Sequence, residues 1–223
     1  MTHGQAVIAW TVQGLFLLTL AGALFRDRVR LCRSFALYLL VVLTADCLML
    51  AWPETFYTRA FWTVKEAVYV GLKIAIAIEV AMLALSELPH ARKVALALQV
   101  IVLGVTVVAM RVPDASYAVT LGLVQPRGQA GVVWVFFVFL LVAARYRVPL
   151  HPYHRTIATG AVLYMGSQAV LWDFAGVFGR GFVDVADPLL YAASLGMWAW
   201  GAWRPAEPLP KAIARLQPWG VRA

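Results

Sequence analysis

The chain has 223 residues, 62% apolar and 13% charged, with a mean hydropathy of +0.77 and a formal net charge of +8. Soluble domains are only about half apolar, so this composition excludes an ordinary water-soluble domain and reads as membrane protein. The positive charge does not point to nucleic acid, because the basic residues sit in short loops and form no continuous stripe.

The apolar residues come in runs of roughly 17 to 24, enough for helices to cross about 30 Å of hydrocarbon at about 1.5 Å per residue. A β-barrel would need alternating segments, whereas the stretch from Val100 to Ala109 is apolar on every side. The expectation is an all-α, polytopic helical bundle with about seven transmembrane helices, its transmembrane domain covering 1–203 and a short tail 204–223.

The spans are placed near 6–25, 34–52, 62–85, 93–111, 130–145, 156–176 and 187–203. In the first, Ala21-Gly22-Ala23 resembles a signal-peptidase site, but the start from Met1 to Gln5 lacks a basic region and Arg26, Arg28, Arg30 and Arg33 follow the apolar run. It reads as a retained helix with its N-terminus outside. Cys32 in the next loop and Cys47 within the second span are about 22 Å apart along a helix, too far for a disulfide. Both read as ordinary thiols, with Cys32 the one a juxtamembrane lipidation would use. The second span also carries Asp46.

The third span holds the strongest anomaly: Lys65, Glu66, Lys73 and Glu79 in otherwise apolar sequence. Each charge in hydrocarbon costs about 2.5–3.5 kcal/mol unless paired or hydrated, so these side chains are expected to face protein. On a helical projection Glu66 and Lys73 share one stripe, and Lys65 and Glu79 lie on another. Asp46, on the antiparallel span before, is the expected partner of Lys65 or Lys73.

After the fourth span, a long external loop (112–129) is expected to hold a short interfacial helix from Ala115 to Gln125, closed by Pro126 and Gly128 before a short fifth span. His151 and His154 have ligand-like spacing, but Pro152 intervenes and no Cys or carboxylate is near, so a solvated basic loop is expected. The sixth span carries Tyr164 and Gln168 on one face, with Gly160 and Ser167 as small contact surfaces and Asp173 near the outer border. In the seventh, Ala192 and Gly196 have small-xxx-small spacing, and the absence of Lys excludes the retinal-binding kind of seven-helix protein. Beyond Trp203, three prolines precede Lys211 and Arg215, four apart, and the tail reads as surface-lying or partner-docking.

With the N-terminus outside and the C-terminus cytoplasmic, thirteen basic residues fall inside (Arg26, Arg28, Arg30, Arg33, Arg92, Lys93, Arg145, Arg147, Arg155, Arg204, Lys211, Arg215, Arg222) and four outside (Arg59, Arg111, Arg127, Arg180). Trp52, Phe56, Tyr57, Phe61 and Trp62 mark the outer interface. The excess of Arg over Lys, 15 to 4, hints at a GC-rich bacterial genome and so at a bacterial inner membrane.

No complete catalytic, metal or cofactor motif is present, and no His lies at depth to activate a nucleophile. The candidate buried polar site is Asp46, Lys65, Glu66, Lys73, Glu79, Tyr164 and Gln168. The leading expectation is a non-enzymatic protein that acts by binding: a subunit of a membrane complex, or a receptor-like module for a small or lipophilic ligand. Its partners are then the lipid bilayer and other membrane proteins, met through the bundle or the tail. The alternative is a transporter or ion-conducting protein whose third-span charges line a polar path. More remote is an intramembrane hydrolase using Asp46 with Glu66 or Glu79.

Overall fold

The computed structural model describes residues 3–86, 88–110, 117–148 and 150–205, and every regular element among them is helical. These are α1 (His3–Phe25), α2 (Arg33–Ala51), α3 (Pro53–Phe56), α4 (Arg59–Ala84), α5 (Pro89–Met110), α6 (Tyr117–Arg145), α7 (Pro152–Phe178) and α8 (Arg180–Trp203), with a 3₁₀ turn at Arg28–Arg30. Four helical stretches are long and apolar enough to cross a membrane: Arg33–Ala51, Arg59–Ala84, Pro89–Val108 and Gly128–Arg145. The architecture fits a polytopic membrane bundle.

Neighbour relations close a ring. α1 packs on α2, α2 on α4, α4 on α6, α6 on α7, α7 on α8, and α8 returns to α1. α5 lies outside this ring against α6 and α4, and α4 also touches α7. The polarity of the bundle is inverted relative to a soluble protein. Lys65, Lys73, Gln99, Gln129 and His154 are buried, while Val100, Ile101, Val105 and Val108 on α5 and Trp134 and Phe137 on α6 are exposed. Val100 and Val108 keep 68% and 69% of their surface open. Apolar surface of this extent is unstable in water and matches a lipid-facing exterior.

Two helices start well before their expected spans. Instead of an interfacial helix ending at Gln125, residues 117–145 form one helix that runs through Pro126 and Gly128; Ala115 lies outside the described residues. α8 begins at Arg180, seven residues before the expected start of the seventh span, and contains Pro188, so Asp187 lies well inside a helix. Both differences fall at Pro and Gly residues, which usually punctuate helices in water but through which these two helices continue. Gly179 alone separates α7 from α8 at φ 82, a conformation that favours glycine.

The tight crossings are not where the Ala192–Gly196 spacing placed them, since nothing lies within 4 Å of a Cβ added at Gly196. Instead, α7 and α8 approach through Gly160, against the Trp198 ring, and Gly201, against the Thr156 side chain. Trp198 then donates from Nε1 to the Ile157 carbonyl at 3.2 Å. Of the tail, the residues beyond Pro205, including Lys211 and Arg215, lie outside the described residues.

Candidate functional site

Because α4 faces α2 on one side and α6 on another, its charges meet different neighbours. Lys73 is buried, and its Nζ donates to Gln129 Oε1 of α6 at 3.0 Å. Glu66 and Asp187 lie close enough to act on the Lys73 ammonium electrostatically. Lys65 sits over the Trp62 ring, 3.4 Å from its centroid, and 3.8 Å from Glu66. A cation held over an aromatic face gains about 0.5–2 kcal/mol, which offsets part of its burial.

Asp46 does not pair with Lys73. Its Oδ2 accepts from Gln13 Nε2 of α1 at 2.5 Å, and Lys65 acts on it only at longer range. The expected ion pair is replaced by a carboxylate–amide bond because α1 brings Gln13 closer to Asp46 than α4 brings either lysine.

Tyr164 and Gln168 join the same region. Gln168 Nε2 donates to Tyr164 Oη at 3.3 Å and also bonds the Asp187 carboxylate. Tyr164 stacks on Tyr191 with 4.3 Å between centroids, and Tyr191 Oη is 3.3 Å from Tyr38 Oη. Three buried atoms here have no hydrogen-bond partner among the described residues: Gln168 Oε1, Asp187 Oδ1 and Tyr69 Oη. Beside Lys73, between Tyr38, Tyr164, Phe136 and Trp198, is a cavity of about 10 Å³, counted as space for the centre of a water molecule. That is room for about one water and no larger ligand.

Glu79 stands apart from this network. The N-cap of α2 is Cys32, whose side chain makes no cap bond. Glu79 supplies the cap from α4 instead: its carboxylate accepts from the backbone N–H of Arg33 at 2.9 Å and Ser34 at 2.7 Å, and from Cys32 Sγ at 3.5 Å. An anion at a helix N-terminus satisfies orphan donors and meets the positive end of the helix dipole. The Cys32 thiol is fully buried, and burial, with Glu79 adding, pushes its pKa well up, so it is neither a nucleophile nor open to lipidation.

The two histidines correct the expectation of a solvated loop, since both are buried. His151 Nδ1 accepts from the Tyr153 N–H at 3.2 Å, which makes His151 the N-cap of α7 with Pro152 in the first helical position. The proline that argued against metal ligation is thus a helix start signal. His154 Nε2 is 2.8 Å from the Leu31 carbonyl, tying α7 to the segment before α2. Close by, Arg28 is buried, its Nη2 donating to the carbonyls of Arg204 and Pro205 at 3.0 Å each, which fastens the end of α8. Burial, with His154 and Arg28 adding, lowers the His151 pKa to about 4. Among the described residues no group of three His, Cys, Asp or Glu is placed to hold a metal ion.

Sequence reasoning missed Gln13, Gln129, Asp187 and Gln99. Gln99 of α5 is buried and reaches the carbonyls of Ala77 and Val135, each at 3.4 Å, so it joins α5 to α4 and α6. The signal available for the glutamines was an amide inside an apolar run, which costs something to bury unless it is bonded. The side chain of Asp173 lies outside the described residues.

Fold and site together define a class: an all-helical bundle, apolar outside, with ionic and amide side chains joined across its interior. No family model, curated protein or solved structure matches the chain.

Proposed function

We propose that this protein crosses a bacterial cytoplasmic membrane seven times, N-terminus outside and C-terminus in the cytoplasm, and acts by binding rather than by turnover. Its partners are other membrane proteins or a small lipophilic ligand. One observation carries the reading: three charges of the bundle are engaged by neighbours on other helices (buried Lys73 by Gln129, half-buried Asp46 by Gln13 and half-buried Glu79 by the α2 amides), and the cavity at Lys73 has room for about one water. Charges used this way register helices against each other and leave the outer faces to meet partners.

The test is crosslinking in native membranes, followed by purification in mild detergent and mass determination by light scattering. Recovery with a defined partner, as an oligomer or with a retained ligand is the expected result. A protein that is always monomeric and carries neither partner nor ligand removes the basis of the proposal.

A second reading, movement of an ion or polar solute, has its own support. Among the described residues, Gln168 Oε1 and Asp187 Oδ1 are buried acceptors without partners in the Lys73 neighbourhood, where a cation or a water would satisfy them. The path would then run through Asp46, Glu66 and Lys73, with Glu79 engaged at the α2 cap. Flux in proteoliposomes that Lys73→Met leaves unchanged discards it.

A further inference from the structure

The structure contains a second opening, unrelated to the buried network. Between the C-terminal end of α6 and the start of α7 lies an open groove of about 480 Å³, lined by Leu140, Ala143, Ala144, Val148, Leu150 and Thr159 and by two arginines, Arg147 and Arg155. We propose that this groove binds an anionic phospholipid, the two guanidinium groups taking the phosphate and the apolar wall taking an acyl chain. The proposal rests on the membrane reading given above and adds a ligand class to it.

Three observations carry it. The charge of the groove is at one end only: Arg147 and Arg155 sit where α6 ends and α7 begins, while Leu140 lies about 7 Å deeper than the end of α6, and Thr159 about 6 Å deeper than Arg155. A phospholipid has the same division, and basic pockets between membrane helices on the cytoplasmic side recognise anionic headgroups.

The two cations are also uncompensated among the described residues. Both are exposed, and among the described residues neither makes an ion pair. Among the described residues the groove lining contains no carboxylate. The tail beyond residue 205 offers little competition, having Lys211, Arg215 and Arg222 against the single acidic side chain of Glu207.

Finally, Arg147 occupies a backbone position that favours glycine. The Val148 N–H bonds the Ala143 carbonyl at 2.9 Å and the Arg147 N–H bonds the Ala144 carbonyl at 3.1 Å, closing α6 with Arg147 at φ 50. Such a helix end is usually glycine, because a side chain there is strained. An arginine at this position is retained against the local preference, and a guanidinium that serves a ligand explains why.

Arg147→Gly removes a side chain from a backbone position that favours glycine, so the loss of the guanidinium is not coupled to new backbone strain. The full chain in neutral detergent is titrated with phosphatidylglycerol, phosphatidylcholine or inorganic phosphate, and bound molecules are counted by native mass spectrometry. Wild type is expected to bind phosphatidylglycerol at least tenfold more tightly than phosphatidylcholine. Arg147→Gly with Arg155→Gln should weaken phosphatidylglycerol binding about thirtyfold with no loss of thermal stability, while Arg92→Gln with Lys93→Gln should leave it unchanged. Ala144→Trp, which fills the groove beside intact arginines, should also weaken the lipid.

Equal binding of the two lipids, or undiminished phosphatidylglycerol binding by the arginine variant, overturns the proposal. Inorganic phosphate binding as tightly as the lipid overturns the acyl assignment. Failure of the membrane reading looks different: the chain would be released from membranes by alkaline extraction and stay in solution without detergent.

Discussion

Removing the Glu79 carboxylate should unfasten the start of α2. Glu79 accepts from two backbone amides of α2, and the N-cap residue itself contributes no side-chain bond. Hydrogen bonds to a charged group contribute about 1.5–3 kcal/mol each, and a carboxylate at a helix N-terminus adds about 0.3–1 kcal/mol. Arg33 is exposed, so its amide falls back on water and its bond counts at the low end. The Ser34 amide is partly buried and loses more. Glu79→Ala should therefore cost about 3 kcal/mol, and Glu79→Gln, which keeps one acceptor oxygen without the charge, about half of that.

The partner substitution is Cys32→Ser. A serine at the N-cap accepts from the amide two or three residues on, and such a cap contributes about 1 kcal/mol. In the Glu79→Ala background it should restore about that amount, whereas in wild type, where Glu79 already holds the Ser34 amide, it should change little. Reversible unfolding in mixed micelles, followed by tryptophan fluorescence, measures all four proteins of the cycle. A Glu79→Ala protein within about 0.5 kcal/mol of wild type, the range of ordinary surface substitutions, would refute the capping argument. Altered solute flux at unaltered stability would place Glu79 on a transport path instead.

Stability should fall as pH drops from about 6.5, the ordinary histidine value, to about 4, the lowered value of folded His151. In that window the unfolded chain takes up a proton that the folded chain refuses, while above and below it this histidine contributes no slope. His151→Asn keeps a cap acceptor for the Tyr153 amide and should flatten the dependence in a pH series of unfolding midpoints; an unchanged slope contradicts the assignment. Gly160→Ala should destabilise by about 1–3 kcal/mol because its Cβ overlaps the Trp198 ring, whereas Gly196→Ala, with nothing within 4 Å, should be neutral or stabilising by up to about 1 kcal/mol. Equal effects in thermal melts would mean that the α7–α8 crossing is looser than described. Lys73→Met leaves Gln129 Oε1 buried and unpaired and should cost about 1–3 kcal/mol, and adding Gln129→Leu should recover most of it. Independent, additive losses in that cycle contradict the pair.

The helical class and most helix positions were legible because hydrocarbon thickness and backbone satisfaction leave a long apolar segment few alternatives. Boundaries failed where rules learned from water were applied, at Pro126 and Gly128 inside α6 and at Pro188 inside α8. With α8 starting at Arg180, Asp187 lies inside the helix and within reach of Gln168 and Lys73. His151 was misjudged for the opposite reason. The His151–His154 spacing reads as ligand-like with Pro152 arguing against it, although a proline in the first helical position beside a residue that can accept a hydrogen bond is a helix start in any solvent.

The candidate site was half legible, and the missing half has one character. A search for charges found Lys73, Asp46 and Glu79 but looked for opposite charges as partners, and the structure answers with neutral groups: Gln129, Gln13 and backbone amides. An amide costs less to bury than an ion, so it sits in an apolar run without disturbing the hydropathy that identifies a span.

The concentration of charges on α4 then has a structural reason. This helix packs on α2, α5, α6 and α7, and polar bonds join it to three of them: Glu79 to α2, Lys73 to α6, and the Ala77 carbonyl to Gln99 of α5. In lipid, where no hydrophobic force distinguishes one apolar helix face from another, directional bonds of this kind select one rotation and one depth for each neighbour. A helix that packs against four others needs several of them. A transport path would need the same side chains to change partners as they work, which is why perturbing the Lys73–Gln129 pair separates the two readings: a fixed joint loses stability when cut, and a working one loses flux.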